Sequence, residues 1–224
     1  MSKGKLIVID GTDGSGKATQ TKLLIKRLRK TGKKVRMVDF PQYGKKSAGL
    51  VEDYLNGLYG SSEELGSYIP SIFYAADRFA ASRRIADYLK KGYTVICNRY
   101  TTSNMAHQGG KIKDLKQRQK YFKWLDELEF KLFKIPKPDL SLILHVPAKI
   151  AQKLVDKKAR RFYIGGRKRD MHEKDIGHII AAERTYLEIA KKFGYPVIEC
   201  VKNGKLLKPK EIHETIFKFV RNSS

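Results

Sequence analysis

The sequence predicts an α/β protein in which a mostly parallel, five-stranded sheet carries helices on both faces. Three observations lead there. Five short β-branched runs alternate with longer stretches of helical periodicity, and such repetition favours parallel strands joined by helical crossovers. A glycine-rich stretch separates the first run from the first helical stretch. The chain has 224 residues, 41% of them hydrophobic, which is enough for one buried core and too apolar for a disordered chain.

Leu6–Asp10 reads as the first strand and Lys17–Lys30 as the first helix. Leu23, Leu24 and Leu28 share one face of that helix, while Lys22, Lys26, Arg29 and Lys33 follow a wet one. Gly32 stops the helix and Lys34–Asp39 forms the second strand. After a loop opened by Pro41 and Gly44, Ser47–Leu58 is expected to be helical, and Ile72–Lys91 is a long helix ended by Gly92. Thr94–Asn98 is the third strand and Asp114–Phe133 a helix, and the turn at Ile135, Pro136, Lys137 and Pro138 delivers the fourth strand, Leu140–Val146. A helix from Ala148, an arginine- and glycine-rich segment at 160–170 and a helix from about Asp175 to Phe193 come next. Val197–Val201 is the last strand and Pro209–Arg221 the last helix. No repeat or linker divides the chain, so one domain over residues 1–224 is expected.

Lysine and arginine number 47 against 23 acidic residues, a formal net charge of +24. Residues 1–50 carry 13 basic and 3 acidic groups and residues 51–100 are balanced, so no single tail accounts for the excess. It suits anionic partners, nucleic acid or phosphate esters, without choosing between them; a solvated lysine-rich surface is the competing reading. Apolar runs such as Leu6–Ile9 are too short to span a bilayer or to form a signal-peptide core, so a cytoplasmic protein is expected. Cys97 and Cys200 have neither a disulfide framework nor metal-ligand spacing, and each ends a β-branched run, as buried thiols of a reducing compartment do.

Gly11-Thr12-Asp13-Gly14-Ser15-Gly16-Lys17 follows the first strand and opens the first helix. It matches the first seven positions of the phosphate-loop motif. Glycines let backbone N–H groups converge on an anion, the helix N-terminus adds its dipole, and Lys17 brings a positive charge to the β- and γ-phosphates. The fold expected is therefore that of the P-loop NTPases, three layers with the sheet in the middle, and the ligand a nucleoside triphosphate. The hydroxyl that normally touches Mg²⁺ is missing, because the next residue is Ala18; Thr19 is rotated from it by about 100°. Asp13 is the candidate carboxylate on the metal side. No Asn-Lys-x-Asp motif for guanine is present.

Three further motifs stand in order behind the loop. Phe40-Pro41 ends the second strand, Tyr74-Ala75-Ala76-Asp77-Arg78 lies on the long helix, and Asn98-Arg99-Tyr100-Thr101-Thr102-Ser103-Asn104 closes the third strand ahead of His107. With Gly11–Thr19 they resemble the thymidylate (dTMP) kinases over almost the whole chain. Tyr74 and Arg78, at i and i+4, share a helix face and can enter one pocket, whereas Phe73 projects into the core. The structural alternatives are core packing for Tyr74, an ion pair with Asp77 or Glu52 for Arg78, and a surface or core histidine for His107. The resemblance implies that Tyr74 stacks on thymine, Arg78 bonds it, Arg99 contacts the monophosphate, and Ser103 and Asn104 line the base pocket. It further implies that Phe40 walls that pocket, His107 lies near the sugar, and Asp13 bonds the acceptor and orders the metal shell.

The family's Asp before Arg-Tyr is Asn98 here, and its Ser after the loop lysine is Ala18; both departures lie on the magnesium side. An active enzyme whose Mg²⁺ is organised mainly by nucleotide oxygens and water is the resulting expectation. Tyr43 stands where some relatives place a phosphate-binding Arg after Phe-Pro. Some thymidylate kinases carry a catalytic Arg within the phosphate loop. Gly14 holds that place here, so the resemblance assigns the positive charge to an arginine-rich lid at 157–170, with Arg160, Arg161 and Arg167 as unranked candidates beside the hinge-like Gly165-Gly166. A solvated loop or an RNA contact is the competing reading of that segment.

Together these imply transfer of the γ-phosphoryl of ATP to dTMP with Mg²⁺, in a homodimer such as relatives form through packed helices. The alternatives are a kinase for another deoxynucleotide or a nucleoside, and a catalytically weakened P-loop protein that binds nucleotides or nucleic acid. The latter has no use for the acceptor constellation of Tyr74, Arg78, Arg99 and Ser103, and neither an RNA-binding aromatic signature nor a helix-turn-helix pattern is present, so nucleic acid is not the expected partner.

Overall fold

The computed structural model describes residues 4–156 and 176–223. Five parallel strands, β1 (Lys5–Gly11), β2 (Val35–Asp39), β3 (Thr94–Asn98), β4 (Leu140–His145) and β5 (Val197–Glu199), lie in the order β2-β3-β1-β4-β5. The chain leaves β1 for the β2 edge, returns to β3, and then crosses β1 to reach β4. Open α/β sheets bind ligands where connections diverge in this way, outside the carboxyl ends of the strands. The loop after β1 occupies that place.

Alternation along β1 builds the two halves of the core. Ile7 and Ile9 point to one face and pack with Leu24 and Leu28 of α1 (Lys17–Lys30) and Ile212 and Ile216 of α9 (Pro209–Asn222). Leu6 and Val8 point to the other and meet Val95, Cys97 and Ile85 of α4 (Tyr68–Lys90). All are buried, and truncating one of the larger, Ile9→Ala for instance, costs about 2–5 kcal/mol through the cavity left behind. Both cysteines are buried free thiols, as expected.

The remaining elements are α2 (Gly49–Asn56), α3 (Ser62–Leu65), α5 (Thr101–Gly109), α6 (Leu115–Asp126), α7 (Ala148–Asp156), α8 (Ile176–Phe193) and a hairpin of β6 (Val201–Lys202) and β7 (Lys205–Leu206). Helix α1 has the expected ends. Helix α4 starts four residues earlier than expected, because Pro70 sits in its first turn, where an N–H has no intrahelical partner to lose. The helix expected over Asp114–Phe133 is α6, with Asp114 capping the N–H of Gln117 at 2.8 Å, continued by a π-helical turn at Glu127–Leu132. The expected strand Val197–Val201 divides, since Val201 turns into the hairpin. Helix α5 was not expected; its sequence is polar and opens with two β-branched threonines, a poor helix former held in place by burial. Among the described residues, no helix is long and apolar enough to cross a membrane. The lid segment at 157–170, with Arg160, Arg161 and Arg167, lies outside the described residues.

Candidate active site

The loop after β1 closes tightly. Gly14 has φ 85°, a left-handed conformation that disfavours side chains, and a Cβ there would lie 2.2 Å from the carbonyl oxygen of Ala151 in α7. Lys17 is buried and donates to the carbonyls of Gly11 at 3.0 Å and Thr12 at 2.8 Å, with Asp13 at 3.8 Å. The buried hydroxyls of Thr12 and Ser15 find no partner among the described residues, an arrangement that suits an anion in the loop. Beneath it, the wholly buried Asp10 accepts from Thr102 of α5 and Tyr186 of α8, both at 2.6 Å, and ties these helices to the end of β1.

A cleft of about 350 Å³ opens above the strand ends. Asp13, Gly14, Gly16, Lys17, Ala18 and Thr19 line it from the loop, Phe40 from the end of β2, and Tyr74 and Arg78 from α4. Arg99 completes it from the turn after β3, and Ser103, Asn104 and His107 from α5. The structure thus gathers the expected residues in one cavity, apart from Gly11, Thr12 and Ser15 under the loop and the three lid arginines outside the described residues.

Arg99 joins the two ends of the cleft. Its φ of 67° lies in the left-handed region, at a cost of about 1–3 kcal/mol for a non-glycine residue, at the turn between β3 and α5. One guanidinium nitrogen meets Asp13 of the loop at 2.5 Å; the other donates to Ser103 Oγ at 2.7 Å and contacts His107 Nε2 at 3.1 Å. Arginine only donates, so His107 Nε2 accepts and its proton sits on Nδ1, directed at His178 Nε2 of α8 at 3.2 Å. Burial first, and the Arg99 cation second, hold the His107 pKa well below its ordinary value, so the ring is neutral.

Arg78 pairs with neither Asp77 nor Glu52, the partners of the structural alternative. Asp77 instead accepts from the Gln42 N–H at 2.8 Å and the Ser47 hydroxyl at 2.6 Å, and Glu52 accepts from Gly44. Arg78 forms a two-pronged ion pair with Glu129 of the π-helical turn, 2.6 Å through each prong, with both side chains buried. The fork uses Nε and Nη2, and Arg78 is among the residues that line the cleft. Tyr74 is half-buried with its ring edge-on to Tyr54 at 6.3 Å, while Phe73 packs on Tyr54 and Tyr59, as expected for a core residue. Phe40, joined to Pro41 by a cis peptide, packs on Tyr100 at 5.7 Å.

Three residues of the site were missed from sequence. Gln108 lines the cleft with both side-chain amide atoms buried and unpaired, beside the unpaired Oδ1 of Asn104 one helical turn earlier. Two open amides on one wall can read the donor and acceptor edge of a base. Their i, i+4 spacing was visible, but only to a reader who had placed α5. Glu129 is the second, and Asp39, which accepts from Asn98 Nδ2 at 2.7 Å, is the third.

The donor set facing the loop consists of oxygens: Asp13, Asp39 and Asn98, with none from Ala18. Among the described residues no cluster of three or more His, Cys, Asp or Glu could hold a metal by itself. That fits Mg²⁺, which prefers hard oxygen ligands, keeps several waters and leans on substrate phosphates.

Comparison with known proteins agrees with this geometry. The family model described as thymidylate kinase matches residues 9–206. The thymidylate kinase of Mycobacterium tuberculosis (strain H37Rv) is 33% identical over 189 residues, covering 83% of this chain and 85% of that protein. That of Schizosaccharomyces pombe is 26% identical over 221 residues, 99% of this chain and 93% of its own. A solved thymidylate kinase from Candida albicans, described as revealing the origin of broad substrate specificity, superposes with a TM-score of 0.73 at 22% identity, covering 99% of this chain and 93% of that one; it supports the fold.

Proposed function

The chain belongs to the thymidylate kinase family, and from that membership we infer that it phosphorylates dTMP to dTDP with ATP as donor, a step of deoxynucleotide synthesis. The observation that carries this reading is Arg99, whose guanidinium touches Asp13 of the phosphate loop on one side and Ser103 and His107 on the other. A donor's terminal phosphate and an acceptor's phosphate brought to those two sides meet at one cation.

In the reaction an oxygen of the dTMP phosphate attacks the γ-phosphorus and ADP departs. The acceptor is ionised at neutral pH, so neither a strong base nor a covalent intermediate is required. We assign Lys17 to the donor's β- and γ-phosphates, in exchange for the carbonyls of Gly11 and Thr12, with the loop N–H groups and the hydroxyls of Thr12 and Ser15 around it. Arg99 orients the acceptor phosphate. Tyr74 stacks on the thymine, Arg78, Asn104 and Gln108 read its edge, Phe40 and Ser103 wall the pocket, and the neutral His107 lies toward the sugar. Gly14 has no room for a side chain, which supports lid arginines, Arg160, Arg161 or Arg167, as the source of charge on the transferred group. Mg²⁺, held mainly by nucleotide oxygens and water with Asp13 nearby, supplies further positive charge when bound.

We further propose one domain acting as a cytoplasmic homodimer. Support for the dimer comes from the apolar side of α4, where Ile69, Ile72 and Phe79 are exposed and the Phe79 ring packs on Phe133 at 5.1 Å. Light scattering of the wild type and of Phe79→Asp tests it. The function itself is tested by following ADP release with dTMP, dUMP and the other nucleoside monophosphates. A flat response with every acceptor refutes kinase activity, and a preference for another acceptor refutes dTMP as the substrate.

A further inference from the structure

P-loop sites ordinarily face their metal with a hydroxyl directly after the loop lysine and a carboxylate from a neighbouring strand end. Here the first is Ala18 and the last residue of β3 is Asn98. Asp13 is engaged by Arg99 and Lys17. Yet an acidic group does stand on this wall. Asp39 is the last residue of β2, and the parallel register sets it directly beside Asn98. Both line the cleft with Lys17, Ala18 and Thr19.

The pair has a defined polarity. Asn98 Nδ2 lies 2.7 Å from Asp39 Oδ1, and a carboxylate can only accept, so the amide nitrogen must face Asp39. Asn98 Oδ1 then points elsewhere, buried and without a donor among the described residues, in a residue only 9% exposed. Buried acceptors of this kind are normally satisfied, and a water held by a cation is a strong donor. Asp39 itself opens to solvent at the cleft mouth and takes part in no ion pair of the described residues. Surrounding protein raises its pKa by desolvation, and the nearby charges of Arg99 and Lys17 pull the other way. The carboxylate therefore sits within electrostatic reach of the loop lysine without being neutralised by it.

We propose that Asp39, oriented by Asn98, is the carboxylate on the metal side of this site: the acidic role lies one strand outward, on β2, and Asp39 holds through water the Mg²⁺ that accompanies ATP. This rests on the kinase reading. It makes Asp39 a positioning residue for the metal shell, and Asn98 the link that sets its orientation and offers the water shell a second acceptor.

The test compares wild type, Asp39→Asn, and the exchange variant Asp39→Asn with Asn98→Asp. Mn²⁺ is titrated into each protein loaded with a non-hydrolysable ATP analogue and followed by electron paramagnetic resonance, and analogue affinity without metal is measured separately. The expected result is that Asp39→Asn weakens Mn²⁺ binding by about 10- to 100-fold, the usual effect of removing an outer-shell partner. Metal-free analogue binding stays unchanged, and the exchange variant recovers most of the loss by returning the carboxylate to β3. Wild-type Mn²⁺ affinity in Asp39→Asn overturns the proposal, as does an equal loss of analogue affinity with and without metal, which marks a structural role. Wild-type turnover of dTMP is measured alongside. If it is present while Asp39→Asn keeps its metal, only this inference fails; if no monophosphate is turned over, the kinase reading fails.

Discussion

Replacing Glu129 by glutamine keeps the shape of the side chain and removes its charge. Glu129 is wholly inaccessible and Arg78 is 2% exposed, and the two prongs between them are both 2.6 Å. The amide can accept from one arginine nitrogen but turns an N–H donor toward the other, and it leaves a buried cation uncompensated. Breaking a buried pair by removing one partner costs about 3–5 kcal/mol, and the retained hydrogen bond places glutamine near the lower figure. For a chain of this size about 3 kcal/mol corresponds to a fall in Tm of about 6–12 °C. The same change releases Arg78 from the direction in which it borders the cleft. A charge-assisted hydrogen bond to the base is worth about 1.5–3 kcal/mol, so KM for dTMP should rise at least about tenfold while KM for ATP holds. Thermal unfolding and steady-state kinetics read the two effects. Arg78→Met with Glu129→Leu separates them, because an apolar pair of similar volume can replace a buried ion pair at little cost. Stability returns in that double variant and dTMP affinity does not. The reasoning is refuted if Glu129→Gln unfolds within about 1 kcal/mol of wild type with unchanged KM for dTMP, or if the apolar pair restores acceptor binding.

Gly14→Ala forces a Cβ to within 2.2 Å of the Ala151 carbonyl at a positive φ, so we expect a loss of at least about 1–2 kcal/mol from conformation alone together with weaker ATP binding; unchanged ATP affinity by calorimetry would contradict the packing. Gln108→Leu removes an unpaired buried amide, whose burial costs about 1–3 kcal/mol, so the fold should gain stability to urea while dTMP binding weakens; a parallel change in both refutes base reading. An alanine series over Arg160, Arg161 and Arg167 should single out a residue worth on the order of 10³ in kcat, against little change for a solvated one. Burial pushes the Lys111 ammonium from 10.5 down to about 8, beside the Tyr54 hydroxyl and the Gly66 carbonyl. Between those values the unfolded chain binds more protons, so this residue makes stability rise with pH across about 8 to 10.5. Urea unfolding of Lys111→Met at pH 7.5 and 9.5 should show a smaller rise than wild type, and equal rises would exclude the shift.

What could be read in advance was local. Glycine spacing and helical periodicity located the loop and α1, because both are properties of adjacent residues. The π-helical turn and α5 could not be located that way. In α5, Thr101, Thr102, Ser103 and Asn104 carry little helical propensity of their own, and burial holds the helix instead. Glu129 carries no local signal, since its meaning depends on Arg78, 51 positions earlier. Likewise Asp39 and Asn98 are 59 residues apart and become neighbours only through the register of β2 and β3. The family motifs found one member of each pair, and the fold supplied the other.

The contact between Gly14 and Ala151 bears on how this enzyme can change over time. A phosphate-loop arginine lies on the far side of a steric barrier: any side chain at position 14 meets backbone, which cannot rotate aside as a side chain can. Helix α7 would have to retreat before such an arginine became tolerable, and that retreat by itself brings no catalytic gain. Drift toward the loop-arginine type is thus closed to single substitutions, and if Arg160, Arg161 or Arg167 has the proposed lid role, its loss could not be rescued from within the loop. Resistance or suppressor mutations that restore a crippled lid should therefore arise in pairs, one of them in α7.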